Sequence, residues 1–477
     1  MAMTGARNVD ARVPDVFGDG PKGITLGGVL WRILPAAAGS FIEWYEFAIF
    51  GYLSIYIAGN FFPGSTGAYG TWAAFAITFL FRPIGGAVFG WMADQLGRKP
   101  AMQLTIMCML VTTILQGCLP TFHSCGDSWG WVGMILMLLL RTLQGLSAGG
   151  ELTTAAVYIS EVSPRERLGF NTSWIAVCGA FGAYVVAALV VFVMESFLNT
   201  EQMMEWGWRI PYLSAIFPGA LVVIGRHWLT ESEEFVESKH QGVELEEGDS
   251  GAVKCPGQSA PLRELLLDYW PQLLVGTLGT AGCGALWYVP PVYGVQFIQT
   301  YDGLPPSAVT LSELVVYLLP TVLSPVVGLL VDVWGAGRVY LLALAAGCVV
   351  APLPLFYWWT HVPGSDAVLA VYLGQVILGV LIALTASVYL WAIELFPTRV
   401  RVTGVSLAYN LGVGVFGGVG PLISEAGNHM LDPRGPISAP AAYMLAVGIL
   451  SVLTVLTSRW MGSRGVLKIS HIRVNPY

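Results

Sequence analysis

Apolar runs of about 20 residues recur along nearly the whole chain, broken by short clusters of charge, glycine and proline. As a helix, each run is long enough to cross a hydrocarbon core of about 30 Å. The pattern predicts spans near residues 31–60, 69–93, 100–120, 130–155, 169–195 and 209–229, then 270–299, 309–331, 338–358, 366–393, 402–426 and 438–459. Residues 230–268 interrupt the series: they are rich in Glu, Gly, Ser and Pro, carry no apolar period, and read as a solvated linker. The expected organisation is a tail (1–30), a six-helix bundle (31–229), a linker (230–268), a second six-helix bundle (269–460) and a second tail (461–477). This is an all-α membrane protein of about twelve transmembrane helices.

Composition agrees: 55% of the residues are hydrophobic and 11% charged, against about 25% charged in soluble domains. The net charge of −7 owes much to one acidic stretch, 231–249, so it points to no nucleic-acid partner. Charges scattered through the first thirty residues (Arg7, Asp10, Arg12, Asp15, Asp19, Lys22) argue against a cleaved signal and for a retained tail. Seven cysteines show no metal-ligand spacing, and most lie inside apolar runs as small hydrophobes, while Cys118 and Cys125 fall near one outer loop. The chain has no Walker loop, no nucleophile elbow and no mid-span histidine. An enzyme is not expected, nor a cofactor; the energy for any transport would come from a proton gradient.

Basic residues set the orientation. Arg98, Lys99, Arg165, Arg167, Arg226, Arg338, Arg399, Arg401, Arg459 and Arg464 fall on one side, whereas the opposite loops hold little beyond Arg209 and Arg434. Both termini and the linker are therefore expected in the cytosol, and the protein in the plasma membrane as a multi-pass monomer. Two patterns recur at matching places. Gly90-x-x-x-Asp94-x-x-Gly97 returns as Gly328-x-x-x-Asp332-x-x-Gly335, and Glu161-x-x-Pro164 as Glu394-x-x-Pro397, at offsets of 238 and 233 residues. Near-equal offsets at the same loop of each half indicate a parallel duplication.

Ionisable residues inside spans cost about 2.5–3.5 kcal/mol each on insertion scales and usually pair or line a wet cavity. Glu43 and Glu46 sit three apart, on one face of the first span. Two like charges so close favour proton binding by one of them, which makes both candidates for proton coupling. The alternative is permanent neutralisation by Arg82 or Arg141, mid-span arginines that could instead grip a substrate carboxylate. Glu151, ten residues beyond Arg141, could hold a proton or pair with Arg98. Gln144, Tyr288 and Asn410 are polar in-span candidates to line a substrate cavity. A cytosolic gate is expected from Gly90, Asp94, Gly97, Arg98, Glu161 and Arg167 in the first half and Asp332, Glu394 and Arg399 in the second. There Asp94 could cap a neighbouring helix and Arg98 reach Glu161; anchoring by positive charge is the plainer alternative.

These residues resemble the major facilitator superfamily, and within it the metabolite:proton symporters that include the proline/betaine, α-ketoglutarate, citrate and shikimate permeases. The resemblance rests on Glu43-Trp-Tyr-Glu46-Phe, Arg82-Pro-Ile-Gly-Gly86, the stretch from Gly90 to Arg98, Gln144-Gly145-Leu-Ser-Ala-Gly149-Gly150-Glu151, Trp206-Gly-Trp-Arg209-Ile-Pro211 and Glu394-Leu-Phe-Pro397-Thr-Arg399. It implies the major facilitator fold, with a substrate cavity between two bundles and proton symport through buried acids. Glu46 stands where the family more often has Asp. After Asp332 the chain reads Val-Trp-Gly335-Ala-Gly-Arg338, so the arginine that follows the first loop's glycine is displaced in the second. The expected activity is import of a small organic metabolite, either an organic acid or a zwitterionic osmolyte. A proton-coupled antiporter, or a membrane sensor without turnover, is the competing reading.

Overall fold

The structure, a computed structural model, describes residues 33–62, 67–233, 235–237, 261–294, 297–298, 306–362, 366–428 and 430–463. The expected tails at 1–30 and 461–477, apart from 461–463, and most of the linker lie outside these residues.

Twelve helices follow the predicted runs. The first bundle comprises α1 (Gly39–Tyr52, continued by Ser54–Phe61), α2 (Gly67–Leu96), α3 (Arg98–Gly117), α4 (Phe122–Val162), α5 (Arg165–Phe197) and α6 (Arg209–His227). The second comprises α7 (Trp270–Tyr293), α8 (Pro306–Trp334), α9 (Ala336–Val350 with Pro352–His361), α10 (Asp366–Glu394), α11 (Thr398–Gly427) and α12 (Ala439–Ser463). Among the described residues nine of these are unbroken helices long and apolar enough to cross a membrane, and α9, bent by 41° at its break, makes a tenth. Their outward faces carry exposed Leu80, Phe217, Leu221, Val322 and Leu422, as lipid contact requires.

Local chemistry sets the boundaries. Gly97 (φ 117°) and Gly335 (φ 85°) take left-handed conformations at the tight turns into α3 and α9, the duplicated motif's glycine serving the same turn twice. Thr121 caps α4, its hydroxyl accepting from the Ser124 amide at 3.1 Å, and Gly126 (φ 75°) bends the chain one turn later. That bend explains why α4 begins well before the predicted residue 130. The end of the predicted linker is not irregular: Pro261–Asp268 folds as a short helix with Leu265 buried. Leu262 and Leu265, three apart, share one face of that segment, too short a period to stand out in sequence.

Among the described residues four of the twelve helices contain π-helical segments, Ala176–Phe181 in α5, Val289–Tyr293 in α7, Ala345–Val350 in α9 and Asn410–Gly417 in α11, and a fifth segment, Met203–Gly207, lies between α5 and α6. Such widened turns re-aim side chains and recur at functional sites. The two bundles meet chiefly through α2 against α11 and α5 against α8, a crossed pairing of corresponding helices.

Candidate functional site

Away from the loops, three buried acid–arginine pairs lie inside the first bundle among the described residues. Glu43 of α1 accepts from Arg82 Nη2 of α2, and Glu46 accepts from Arg141 Nη1 of α4. Each carboxylate keeps its second oxygen, Oε2, without a hydrogen-bond partner among the described residues. The two acids thus share a helix face but not a site: each has its own guanidinium, the alternative left open in the sequence. Aromatic rings cover the cations. Arg82 lies 4.6 Å from the Phe47 ring centroid and 5.1 Å from that of Phe79, while Arg141 lies 3.6 Å from Phe50.

Glu151 of α4 does not meet Arg98. Both its oxygens accept from Arg226 of α6, and Oε2 also accepts from the Thr105 hydroxyl of α3. Arg226 further donates to the carbonyls of Pro35 and Ala36 at the start of α1 and to Met102. This knot ties four helices, and Arg226 belongs to the basic set that otherwise reads as membrane anchoring. Gln144 also turns inward, accepting from Arg141 at 3.0 Å and donating to Thr113 at 3.1 Å, so it braces a cation rather than lining a cavity.

A narrow cavity of about 20 Å³, room for about one water in this conformation, lies between the bundles. The first bundle lines it with Trp44, Phe181 and Tyr184, the second with Trp287, Tyr288, Pro291, Tyr317 and Ile382. Phe181 and Pro291 come from the π-helical segments of α5 and α7. Rings meet across the boundary: Trp44 and Trp287 edge to face at 6.1 Å, Tyr184 stacked on Tyr317 at 4.4 Å, and Phe79 edge to face with Tyr288 at 5.3 Å. Tyr288 therefore sits where a cavity residue was expected. Asn410 does not: it donates to the Gly149 carbonyl of α4 at 2.7 Å and to Ser406, in the seam between bundles. A pleated-wheel reading of sequence cannot tell such an interhelical amide from a cavity amide.

At the end where the duplicated loops lie, a latch joins the bundles. Asp94 of α2 accepts from the backbone amides of Val402 (3.2 Å) and Thr403 (2.8 Å) in the first turn of α11, and from the Thr403 hydroxyl (2.7 Å). Asp332 of α8 caps α5 in the same way, accepting from the amides of Gly169 (2.5 Å) and Phe170 (3.1 Å). The capped amides are 233 residues apart, the offset already seen between Glu161 and Glu394. Each aspartate sits at a helix N-terminus of the opposite bundle, where the macrodipole favours a negative charge. Close approach makes this possible: a Cβ on Gly90 would stand 2.8 Å from Thr403 Cα, and one on Gly328 2.6 Å from the Gly169 carbonyl.

On the Asp94 side a buried ion-pair network reinforces the latch. Glu161 receives Arg98 through two nitrogens at 3.0 and 3.1 Å and Arg401 of α11 at 3.0 Å, with the Ser232 hydroxyl donating at 2.6 Å. Arg98 also meets Asp94 at 3.3 Å, and Glu231 accepts from the backbone amides of Arg98 and Lys99. In the second half buried Ala336 follows the turn glycine, as Arg98 does in the first, and Arg338 is exposed. Arg167 is exposed near Asp332, Glu394 is half-buried, and Arg399 pairs at 3.3 Å with Glu264 of the Pro261–Asp268 helix. Arg401, Arg226, Glu231 and Ser232 are the functional residues that sequence reasoning missed.

Comparison with known proteins gives this arrangement a context. The model of the sugar (and other) transporter family matches residues 32–265. The chain is 31% identical to the citrate-proton symporter of Klebsiella pneumoniae over 437 residues, 90% of this chain and 92% of that protein. It is 30% identical to the ectoine/proline transporter ProP of Corynebacterium glutamicum over 436 residues, 89% and 84% of the two chains. It belongs to the metabolite:proton symporter family of the major facilitator superfamily. The family's proline/betaine transporter of Escherichia coli K12 is 27% identical over 91% of this chain and 84% of its own. The major facilitator fold itself is shared with the proton:xylose symporter XylE bound to 6-bromo-6-deoxy-D-glucose, at a TM-score of 0.71, 14% identity and coverage of 91% and 95%. As a major facilitator protein the chain is an integral membrane transporter.

Proposed function

We propose that this protein is a proton-coupled symporter that imports a small organic metabolite, an organic acid or a zwitterionic osmolyte, by alternating access of a site between its two bundles. The observation that carries the reading is Glu43: a buried carboxylate held by Arg82 one aromatic layer behind the inter-bundle cavity, with one oxygen left to take a proton. Glu46 on Arg141 is the second proton candidate. Glu151, with both oxygens engaged, has the weaker claim and serves as a brace for α1. Tyr288 faces the substrate, with Arg82 one aromatic layer behind it; Gln144 supports Arg141 and Asn410 belongs to the inner seam.

In this reading the latch end is cytosolic, as the basic residues indicate, and both termini lie in the cytosol of a plasma-membrane monomer. The Asp94–Arg98–Glu161–Arg401 network holds that end shut while the opposite end admits substrate and proton. Loading both leaves the first bundle's buried charges balanced and allows the bundles to rock. The relatives' names support the substrate range: citrate for one, proline, ectoine and betaine for others.

The test is uptake of labelled citrate, α-ketoglutarate, proline and glycine betaine into proteoliposomes, with and without an inward proton gradient. One compound is expected to accumulate, with accumulation collapsed by a protonophore. The Glu43→Gln protein is expected to equilibrate that compound without concentrating it. Unchanged accumulation by Glu43→Gln and by Glu46→Gln removes both acids from the coupling.

A further inference from the structure

The ends of the bundles away from the latch carry a second duplicated contact. In the first half the Tyr56 hydroxyl of α1 donates to Glu195 Oε1 of α5 at 3.2 Å. In the second half the Tyr293 hydroxyl of α7 donates to Glu425 Oε2 of α11 at 2.6 Å. The tyrosines are 237 residues apart and the glutamates 230, beside the 238 and 233 of the loop motifs. The helices correspond as well: α7 and α11 hold in the second bundle the places of α1 and α5 in the first. An asparagine supports each bond. Asn60 Nδ2 donates to the Met204 carbonyl between α5 and α6 at 2.9 Å, and Asn428 Nδ2 donates to the Tyr293 hydroxyl at 2.7 Å. Each tyrosine lies at or just beyond a defect in its helix. The first helix, α1, breaks at Leu53, and Tyr293 ends the π-helical segment of α7, whose Pro290 and Pro291 bring no N–H to the backbone ladder. A helix so weakened can swing about the defect unless side chains fix the arm beyond it.

These arms continue the walls of the cavity. Trp44 stands before the break on α1, and Trp287, Tyr288 and Pro291 stand before Tyr293 on α7. Each bond ties an arm to a helix of its own bundle rather than across the seam. We propose that Tyr56 with Glu195 and Tyr293 with Glu425 are paired outer pins, positioning residues that make each arm travel with its bundle so that the outer mouth clears when the bundles rock. With a pin lost, the arm lags over the mouth and the cavity opens to the outside less often. Both glutamates are exposed, whereas Tyr293 is buried and Tyr56 half-buried, so packing holds the rings and the pins hold the hydroxyls. The inference goes beyond the transport reading and rests on its alternating access and on a cytosolic latch.

The experiment measures alkylation of the Ile382→Cys protein by a membrane-impermeant maleimide added outside right-side-out vesicles. Ile382 lines the cavity; the exposed thiols are removed by Cys118→Ser and Cys125→Ser, and the same protein retaining Ile382 is the blank. Tyr293→Phe is expected to slow alkylation about 10-fold and Tyr56→Phe, whose bond is longer, about 3-fold. Together they are expected to slow it about 30-fold, as two independent arms require. Glu425→Gln keeps an acceptor oxygen and should stay within about 3-fold of the parent, whereas Glu425→Leu should match Tyr293→Phe. Thermal unfolding is expected to be the same in all of them, which separates positioning from loss of fold. Unchanged or faster alkylation in both tyrosine variants overturns the proposal. So does a slowdown matched by lost thermal stability, or a thiol closed to the reagent while both pins are intact. Pin-dependent alkylation in a protein that accumulates none of the offered compounds overturns the symporter reading and leaves the pins standing.

Discussion

At the scale of single residues, the buried acids differ in what their second oxygen does. Glu43 and Glu46 each offer a free oxygen beside a matched one, whereas Glu151 is held at both. Neutralising the first two should change coupling; neutralising the third should change stability. Glu151→Gln leaves Arg226 buried without its counter-charge, a loss of about 3–5 kcal/mol for a broken buried pair. Both substitutions strip a buried arginine of its counter-charge, but Glu151 also loses a second contact to Arg226 and one to Thr105, so thermal unfolding in detergent should fall further for Glu151→Gln than for Glu43→Gln. The reverse order is expected in proton-driven uptake. Equal destabilisation by both substitutions would mean that Glu43 is a strut as well.

At the scale of elements, the duplicated loops use the same cap with different reinforcement. Asp94 has three donors from α11 and a salt bridge to Arg98, while Asp332 has two amides from α5. Asp94→Asn is expected to reduce uptake at least 10-fold at matched expression and Asp332→Asn only a few-fold, since hydrogen bonds to a charged group contribute about 1.5–3 kcal/mol each. Arg98→Ala should slow cycling more than it weakens substrate binding, read as a lower maximal rate at near-constant affinity. The helices themselves were legible in sequence because lipid demands long apolar runs, although α4, at Phe122–Val162, outruns its predicted 130–155 at both ends. Less legible were the break at Leu53, the bend at Gly126 and the four π-helical segments, which alter backbone geometry without altering the apolar pattern. The charge partners divide similarly. Arg98 with Glu161 follows from loop adjacency, but Arg226 and Arg401 sit at helix ends among anchoring arginines, and only their tertiary approach to Glu151 and Glu161 sets them apart.

At the scale of the whole molecule, the latch should be closed by chemistry as well as by charge. Replacing Thr153 and Ser406, whose hydroxyls meet across the α4–α11 crossing, together by cysteine brings two thiols to one point between the bundles. Oxidation is expected to stop transport and a reductant to restore it; undiminished uptake by the oxidised protein would mean that this crossing need not open. The two bundles also carry different kinds of residue. Among the described residues, Arg401 at the latch is the one fully buried charged side chain of the second bundle, while Glu43, Glu46, Arg82, Arg141, Glu151 and Arg226 all belong to the first. Yet the second bundle supplies five of the eight cavity residues. In the proposed reading engine and most of the cargo hold are housed apart, so exchanging side chains on α7, α8 and α10 is expected to alter which compound is carried while the buried charge pairs stay as they are.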